Sequence, residues 1–489
     1  MLSLPAAEKR RLFAEALAHR KARRFDAAKD ILKRLMLSEP GNAELHFLMS
    51  QVAYDEGDRD QALQQMAEAT RHAPENAKLL TSAAERFAQL QANDLALAAF
   101  DRLIALDPKA VAPRANRARH LQVMGRLDEA EAELRKLIAR HEADLELYRI
   151  LLGTVRPKPN DPILRKMERF WTSSRMNDEA RMNLGFALAK AMEDTGQFDR
   201  VFGFLAAANQ AQRKLAPYSA ETLRAETDRL LAAQDGAELT PADGVAEISS
   251  VFVCGMPRSG TTLAEQILGQ HSAVTAGGEL GHAYRQAILT FGDGDGLKPL
   301  SSLSSKSLRL WADRYQRMVR RDTGATSPVV TDKSMRTERL FGYIRRGIPG
   351  AGMIVIHRDP RDIALSIYKN HFALGTHRYA NDLADIAFVI KLFRRSVALW
   401  RDRMPGIVHE VRYEDLVMDP EPHARALVAA AGLDWQESCL RIQDSKSTVQ
   451  TLSLAQVRQP IHAGRRQAWR RYETEMAPFI DAWGDEPWD

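Results

Sequence analysis

The chain has 489 residues, 69 Lys and Arg against 64 Asp and Glu, and a formal net charge of +5. That length predicts two or more cores, the near balance of charge without a long basic block excludes a dedicated nucleic-acid arm, and Cys254 and Cys439 alone exclude a disulfide framework. The longest apolar runs are strand-sized and Glu8 to Arg11 is charged where a signal core would be apolar, so a cytoplasmic protein without a membrane span is expected.

Pro40, Pro74 and Pro108 recur every 34 residues, in the contexts SEPGN, HAPEN and LDPKA. Twelve residues before them stand Ala28, Ala62 and Ala96, and Ala130 continues the series by one period. Leu32, Met66, Phe100 and Leu134 follow the alanines by four, which puts small and large side chains on one helix face. Gly57 and Gly125 fall where paired helices need a permissive backbone, whereas Arg23 and Gln91 hold that place in the other copies, so the turn signal is incomplete. The pattern resembles the tetratricopeptide repeat over roughly residues 6–150. The resemblance implies an all-α solenoid with a curved surface suited to a protein or peptide; the plainer alternative is a cap on the next domain.

Residues 160–235 keep a helical pattern without a clean copy of the period, and DGAELTPADG (Asp235 to Gly244) has the composition of a linker. The expected division is a repeat array at 1–150, a helical connection and linker at 151–240, and a second domain at 245–489.

In that domain SSVFVCG (Ser249 to Gly255) reads as a strand, MPRSGTT (Met256 to Thr262) as a loop, and Leu263, Ile267 and Leu268 as one face of a helix. Strand, loop and helix together aim backbone N–H groups and a helix N-terminus at one point. Around Gly260, the side chains of Arg258, Ser259, Thr261 and Thr262 add donors, which makes a phosphate site. A nucleoside-triphosphate loop would read G-x-x-x-x-G-K-[ST]. Here Thr261 follows Gly260 and the basic residue precedes it, which weighs against a kinase or ATPase and removes the motif-based reason to expect a metal.

About a hundred residues later, Met353 to Ile356 reads as a second strand, followed by R-D-P-R-D and a helix. Arg358 leaves the strand end and Ser366 comes eight residues on; arginine offers a phosphate a planar fork and serine a compact donor. Standing alone, the motif would read as a helix start at Pro360 with its charges on a solvated face.

The proline, basic residue, Ser, Gly, Thr, Thr run with the Arg358 and Ser366 pair resembles the donor site of the sulfotransferase superfamily, and arginine rather than lysine makes it similar to the protein-tyrosine sulfotransferase branch. VVTDKSM around Lys333, VRYEDLVMDP around Tyr413 and STVQTLSLAQVRQPIH around Ser453 resemble the bacterial branch that joins tetratricopeptide repeats to a sulfotransferase domain, so the likeness spans residues 249–475. It implies an α/β P-loop-like sulfotransferase domain with a mostly parallel sheet, in keeping with repeated strand-loop-helix units. The implied sulfuryl donor is 3′-phosphoadenosine 5′-phosphosulfate (PAPS). Its 5′ end would lie on Arg258, Ser259, Gly260, Thr261 and Thr262, its 3′-phosphate on Arg358 and Ser366, its adenosine near Tyr413, and its bridging oxygen near Lys333 and Ser453. Each of the last three has a plain alternative: Tyr413 in a strand core, Ser453 as a helix cap, Lys333 as a surface charge. One departure stands out. The family usually places a basic residue before the tryptophan of its last motif, but Ala468 precedes Trp469, leaving Arg465, Arg466 or Arg470 to make any such phosphate contact.

Sulfuryl transfer needs an in-line acceptor, stabilised charge on the leaving phosphate and a base. Arg258 and Lys333 supply positive charge and Ser453 a donor. Glu279, in TAGGELGH, is the candidate base because it follows the anion-loop helix and paired glycines allow close approach; a glutamate after glycine also serves as base in the resembled family. The alternative is a capping or solvated carboxylate, and His282 is the second candidate. The acceptor hydroxyl belongs to a peptide tyrosine, a saccharide or a small phenol or alcohol, and the repeats favour a protein or peptide. A nucleotide kinase with a degenerate loop and a repeat scaffold with a non-catalytic nucleotide-binding domain are the competing classes.

Overall fold

The computed structural model describes residues 4–172, 176–242, 248–444 and 466–488; Ser453 and Arg465 lie outside the described residues. The chain forms two compact units, one made of residues 1–124 and 313–326, the other of 125–312 and 327–489.

The first unit is built from helix pairs, Ala6–Lys21 with Phe25–Ser38, Ala43–Glu56 with Arg59–His72, and Ala77–Gln89 with Asn93–Leu106, followed by Val111–Met124. Sequence period becomes structure through packing. Ala28, Ala62 and Ala96 are fully buried where neighbouring helices approach closely, and Leu32, Met66 and Phe100 fill the adjoining space. Asn42 and Asn76, one period apart, cap the first helices of successive pairs by accepting from Leu45 N and Leu79 N at 3.4 and 3.1 Å. The turn position is left-handed in every copy: φ is 56° at Arg23, 105° at Gly57, 56° at Gln91 and 80° at Gly125. The incomplete glycine signal therefore conceals a uniform backbone. Residues 313–326 complete this unit. Arg321 and Arg86 both stack on the Tyr54 ring, 3.6 and 3.2 Å from its centroid, and Arg59 donates to the Arg321 carbonyl at 2.8 Å.

The second unit opens with helix Leu127–Arg140, whose Ala130 and Leu134 are buried. Its sheet has five strands: β1 (Ser249–Gly255), β2 (Val274–Ala276), β3 (Val329–Asp332), β4 (Gly352–His357) and β5 (Val408–Arg412). They lie in the order β2-β3-β1-β4-β5, and all four pairings are parallel. Both faces are covered, as a parallel sheet requires. Val251, Val253, Ile354 and Ile356 pack with Ile267, Leu268 and Leu427, while Phe252, Cys254, Met353 and Val355, pointing the other way, are equally buried. The chain adds β2 and β3 to one side of β1 and β4 and β5 to the other. That reversal opens a crevice at the carboxyl ends of β1 and β4, where doubly wound sheets hold their ligands.

Helices from the connecting region belong to this unit. Asn209 Nδ2 donates to the Tyr368 carbonyl at 3.0 Å, Gln212 Nε2 donates to that of Phe372 at 2.7 Å, and Glu193 pairs with Lys369. The first satisfies the last carbonyl of helix Pro360–Tyr368, which carries Ser366, and the other two hold the chain that follows it. Among the described residues no helix is long and apolar enough to cross a membrane.

Candidate active site

The loop after β1 turns sharply, with φ at 70° for Arg258 and 109° for Gly260, and delivers the chain into helix Thr261–Gly269. Two glycines make the turn possible. A Cβ on Gly255 would stand 2.5 Å from Ser259 Oγ, and one on Gly260 would stand 2.4 Å from the Tyr413 ring. Among the described residues no side chain caps this helix, which leaves its first-turn amides available to a ligand. The Ser259 hydroxyl is buried with no hydrogen-bond partner among the described residues. Such a group is costly unless something completes it, and an anion seated against the amides would. The donor set fits a phosphate.

The second half of the crevice touches the first. Arg358, at the end of β4, donates from Nη1 to the Arg258 carbonyl at 2.9 Å, and Arg258 Nε donates to Ser366 Oγ at 3.0 Å. The Arg358 guanidinium lies 4.5 Å from the centroid of the Tyr413 ring. Beneath it is Asp362, 3 % exposed, whose carboxylate accepts from Gln467 N at 2.7 Å and Trp469 N at 3.2 Å and sits 3.8 Å from Arg358 Nη2. Burial raises the Asp362 carboxyl above its ordinary range, against the pull of Arg358 and the two amides.

On the other side of β1, Lys333 follows β3 and is 1 % exposed, and its Nζ donates to Glu279 Oε1 at 2.9 Å, with the Glu279 side chain 46 % exposed. The chain reaches Glu279 through Gly277, where a Cβ would stand 2.2 Å from the Thr331 carbonyl. Glu265, buried in the anion-loop helix, holds this bend by accepting from Gly278 N at 2.9 Å and Thr331 Oγ1 at 2.8 Å. The two groups assigned opposite ends of the reaction are thus an ion pair, one buried and one facing solvent.

The structure therefore gathers Arg258, Ser259, Gly260, Thr261, Thr262, Arg358, Ser366 and Tyr413 around the crevice and sets Lys333 and Glu279 together on its other side. Tyr413 opens helix Tyr413–Met418 rather than sitting within a strand, and Lys333 is a buried cation rather than a surface charge. His282 is buried at the start of its helix. Of the arginines proposed to replace the basic residue missing at Ala468, Arg466 lies against Met418 Sδ at 2.6 Å and Arg470 lies 5.6 Å from the Trp469 ring centroid; Arg361, unforeseen, is nearer that ring at 4.2 Å. Sequence reasoning also missed Asp362 and Glu265. The i, i+4 spacing of Arg358 and Asp362 was the available signal for the first. A cavity of about 930 Å³ opens beside Arg358, lined also by Lys391, Arg394, Arg401 and His357, and does not include the anion loop. At its wall, burial opposes ionisation of Glu410, but hydrogen bonds from Arg401 and His357 bring the carboxyl down to about 2.

Comparison with known proteins gives the following. Residues 250–437 match the sulfotransferase family and residues 19–85 the tetratricopeptide repeat. An uncharacterized protein of Aquifex aeolicus (strain VF5) is 28 % identical over 348 residues, which is 66 % of this chain and 44 % of that protein, so the chain spans under half of this relative's length. A protein of Caenorhabditis briggsae with a provisional assignment as a protein-tyrosine sulfotransferase is 22 % identical over 250 residues, 48 % of this chain and 88 % of that one. Among solved structures, the sulfotransferase domain of the Synechococcus PCC 7002 olefin synthase is 18 % identical with a TM-score of 0.34, covering 51 % of this chain and 99 % of its own.

Proposed function

Because the chain carries tetratricopeptide repeats and, over residues 250–437, a domain of the sulfotransferase family, we propose that it is a PAPS-dependent sulfotransferase acting on an acceptor hydroxyl. The observation that carries this reading is the joining of two anion sites, Arg358 on the Arg258 carbonyl at 2.9 Å and Arg258 on Ser366 at 3.0 Å, which suits one ligand with phosphates at both ends. When bound, PAPS supplies the activated sulfuryl group. Arg258, Ser259 and the amides from Gly260 to Thr262 hold its 5′ end, Arg358 and Ser366 its 3′-phosphate, and Tyr413 the adenosine. Lys333 meets charge as it develops on the leaving phosphate, a role whose loss typically costs about 10²–10³ in rate. Glu279, kept near the reacting centre by its ion pair, takes the acceptor proton, a role worth about 10²–10⁴.

A peptide tyrosine held by the repeats is the acceptor we favour, with a saccharide or small-molecule hydroxyl as the alternative; the provisional assignment of the Caenorhabditis relative supports the first. Cys254 and Cys439, both free and buried, suit a reducing, cytoplasmic setting.

The test is calorimetric binding of 3′,5′-adenosine diphosphate without added metal, in wild type and Arg358→Ala, with adenosine 5′-monophosphate as control. We expect binding that needs the 3′-phosphate and weakens about 10–100-fold in the variant, the loss of a charge-assisted contact. Equal binding of the monophosphate would return the domain to an unassigned nucleotide-binding fold.

A further inference from the structure

Strands β2 and β3 stop pairing at Ala276 and Thr331, and Glu279 and Lys333 lie just past that point, one on each segment. Individual bonds take over from the ladder there. Gly277 N donates to Thr331 Oγ1 at 3.1 Å, Lys333 N to the Gly278 carbonyl at 2.9 Å and Gly281 N to Ser334 Oγ at 2.6 Å. Ser334 is itself held by Asp332, whose Oδ1 accepts from Ser334 N at 3.1 Å and from the Ser334 hydroxyl. Each of these bonds ends within two residues of Glu279 or Lys333, so the set fixes where the pair stands.

One member of the set comes from a third element. Glu265, in helix Thr261–Gly269, is 6 % exposed, and its Oε1 accepts both from Gly278 N at 2.9 Å and from Thr331 Oγ1 at 2.8 Å. It therefore touches both segments at once. Its neighbours Ala264, Ile267 and Leu268 are buried as well, and an apolar side chain would meet the same packing need without the cost of dehydrating a carboxylate. The two bonds to the bend are what a carboxylate adds at that position.

That helix is the one the anion loop enters. Thr261 and Glu265 are four residues apart, so they share a face of the helix and lie about 6 Å apart along its axis. An anion seated on the first-turn amides steadies the helix. Through Glu265 the helix steadies the bend that carries Glu279 and the end of β3, which Lys333 follows.

We propose that Glu265 is a positioning residue for sulfuryl transfer: it ties Glu279 and Lys333 to the anion-loop helix, so that base and cation stand at a fixed place relative to the donor and are steadied when the donor binds. This rests on the sulfotransferase reading above. Loss of Glu265 should leave the donor seated and displace the pair that acts on it, and a displacement of about 1 Å costs about 10² in rate.

The test is amide hydrogen exchange on the full chain with and without 3′,5′-adenosine diphosphate, in wild type, Glu265→Ala and Glu265→Gln. In wild type the nucleotide should slow exchange about ten-fold both in the anion loop and in the bend from Gly277 to Gly281, an effect the size of one hydrogen bond. In Glu265→Ala the loop should keep that response, with nucleotide affinity within about two-fold of wild type, while the bend loses it. Glutamine can accept both bonds through the same oxygen, so Glu265→Gln should restore the response of the bend. Thr331→Val, which removes the hydroxyl between Gly277 and Glu265, gives the same reading if the alanine variant does not fold. Turnover of PAPS with a tyrosine peptide as acceptor is the second readout: kcat should fall about 10²-fold in Glu265→Ala with KM for PAPS within about two-fold, and recover in Glu265→Gln. A bend that still responds in Glu265→Ala, one that stays silent in Glu265→Gln, or a loss of nucleotide affinity in the alanine variant would each overturn the proposal. If wild type binds no 3′,5′-adenosine diphosphate, the donor reading fails by itself, and the same exchange comparison with inorganic phosphate on the loop decides the role of Glu265; a loop that takes neither ligand overturns both.

Discussion

The repeat turns and the crevice use the same costly backbone conformation for different ends. At the turns, the residue after the left-handed position donates to the carbonyl five residues back: Arg24 to His19 at 2.9 Å, Asp58 to Ala53 at 2.9 Å and Ala92 to Phe87 at 2.8 Å. That bond is the same whether arginine, glycine or glutamine holds the turn, so the main chain alone makes it. At the crevice the strained residue has a second task. The Arg258 side chain reaches Ser366, and the Gln467 N–H is fixed on Asp362. The difference teaches that positive φ without glycine marks function only where something beyond the turn depends on the residue.

The sharpest way to break this comparison is Arg258→Gly. Glycine relaxes φ at 70°, so stability should rise by about 0.5–1 kcal/mol, while on the donor reading proposed above loss of the guanidinium should lower turnover of PAPS by about 10²–10³. A variant that is stabilised and keeps near-wild-type turnover would place Arg258 with the repeat turns.

Asp362→Ala comes next, and tests whether the left-handed Gln467 is held by its partner. The Gln467 and Trp469 amides lose their acceptor and Arg358 its ion-pair partner, which should cost about 3 kcal/mol in denaturation. A pH series adds an independent reading. The folded-state pKa of Asp362 is raised by burial above the unfolded value near 3.8, so the folded state holds its proton more tightly. This contribution to stability therefore falls as pH rises from about 3.8 through the raised value and is constant above it. Asp362→Asn should abolish that slope; an unchanged slope would show that another group produces it.

Local features were legible in the sequence because their causes are local. The run from Ser249 to Gly255 is a strand over those same residues, and the alanine and proline period translates directly into helix pairs. What escaped has distant causes. Asp362 reads as one more charge in R-D-P-R-D, and only partners 105 and 107 residues away turn it into a buried clasp. Glu265 looks like an exposed helix carboxylate until Thr331, 66 residues on, shows which face is inward. The turn positions were legible only in part for the opposite reason, since the main chain enforces them and the side chains at Arg23 and Gln91 carry no sign of it.

The smallest effects lie in the repeats, and they form a reciprocal pair. Gln91→Gly should stabilise by about 0.5–1 kcal/mol, because φ at 56° is easier for glycine and the bond from Ala92 to Phe87 needs no side chain. Gly57→Ala should destabilise by more, about 1–3 kcal/mol: φ at 105° disfavours any Cβ, and this one would stand 2.7 Å from Met318 Cε, which must shift. Amide exchange in the flanking helices Ala77–Gln89 and Ala43–Glu56 reads both changes locally. Neither should alter the affinity for 3′,5′-adenosine diphosphate, because both act on a turn the main chain already defines. A stabilised Gln91→Gly protein with weakened nucleotide affinity would show that the repeat turns, like Arg258, carry more than the path of the chain.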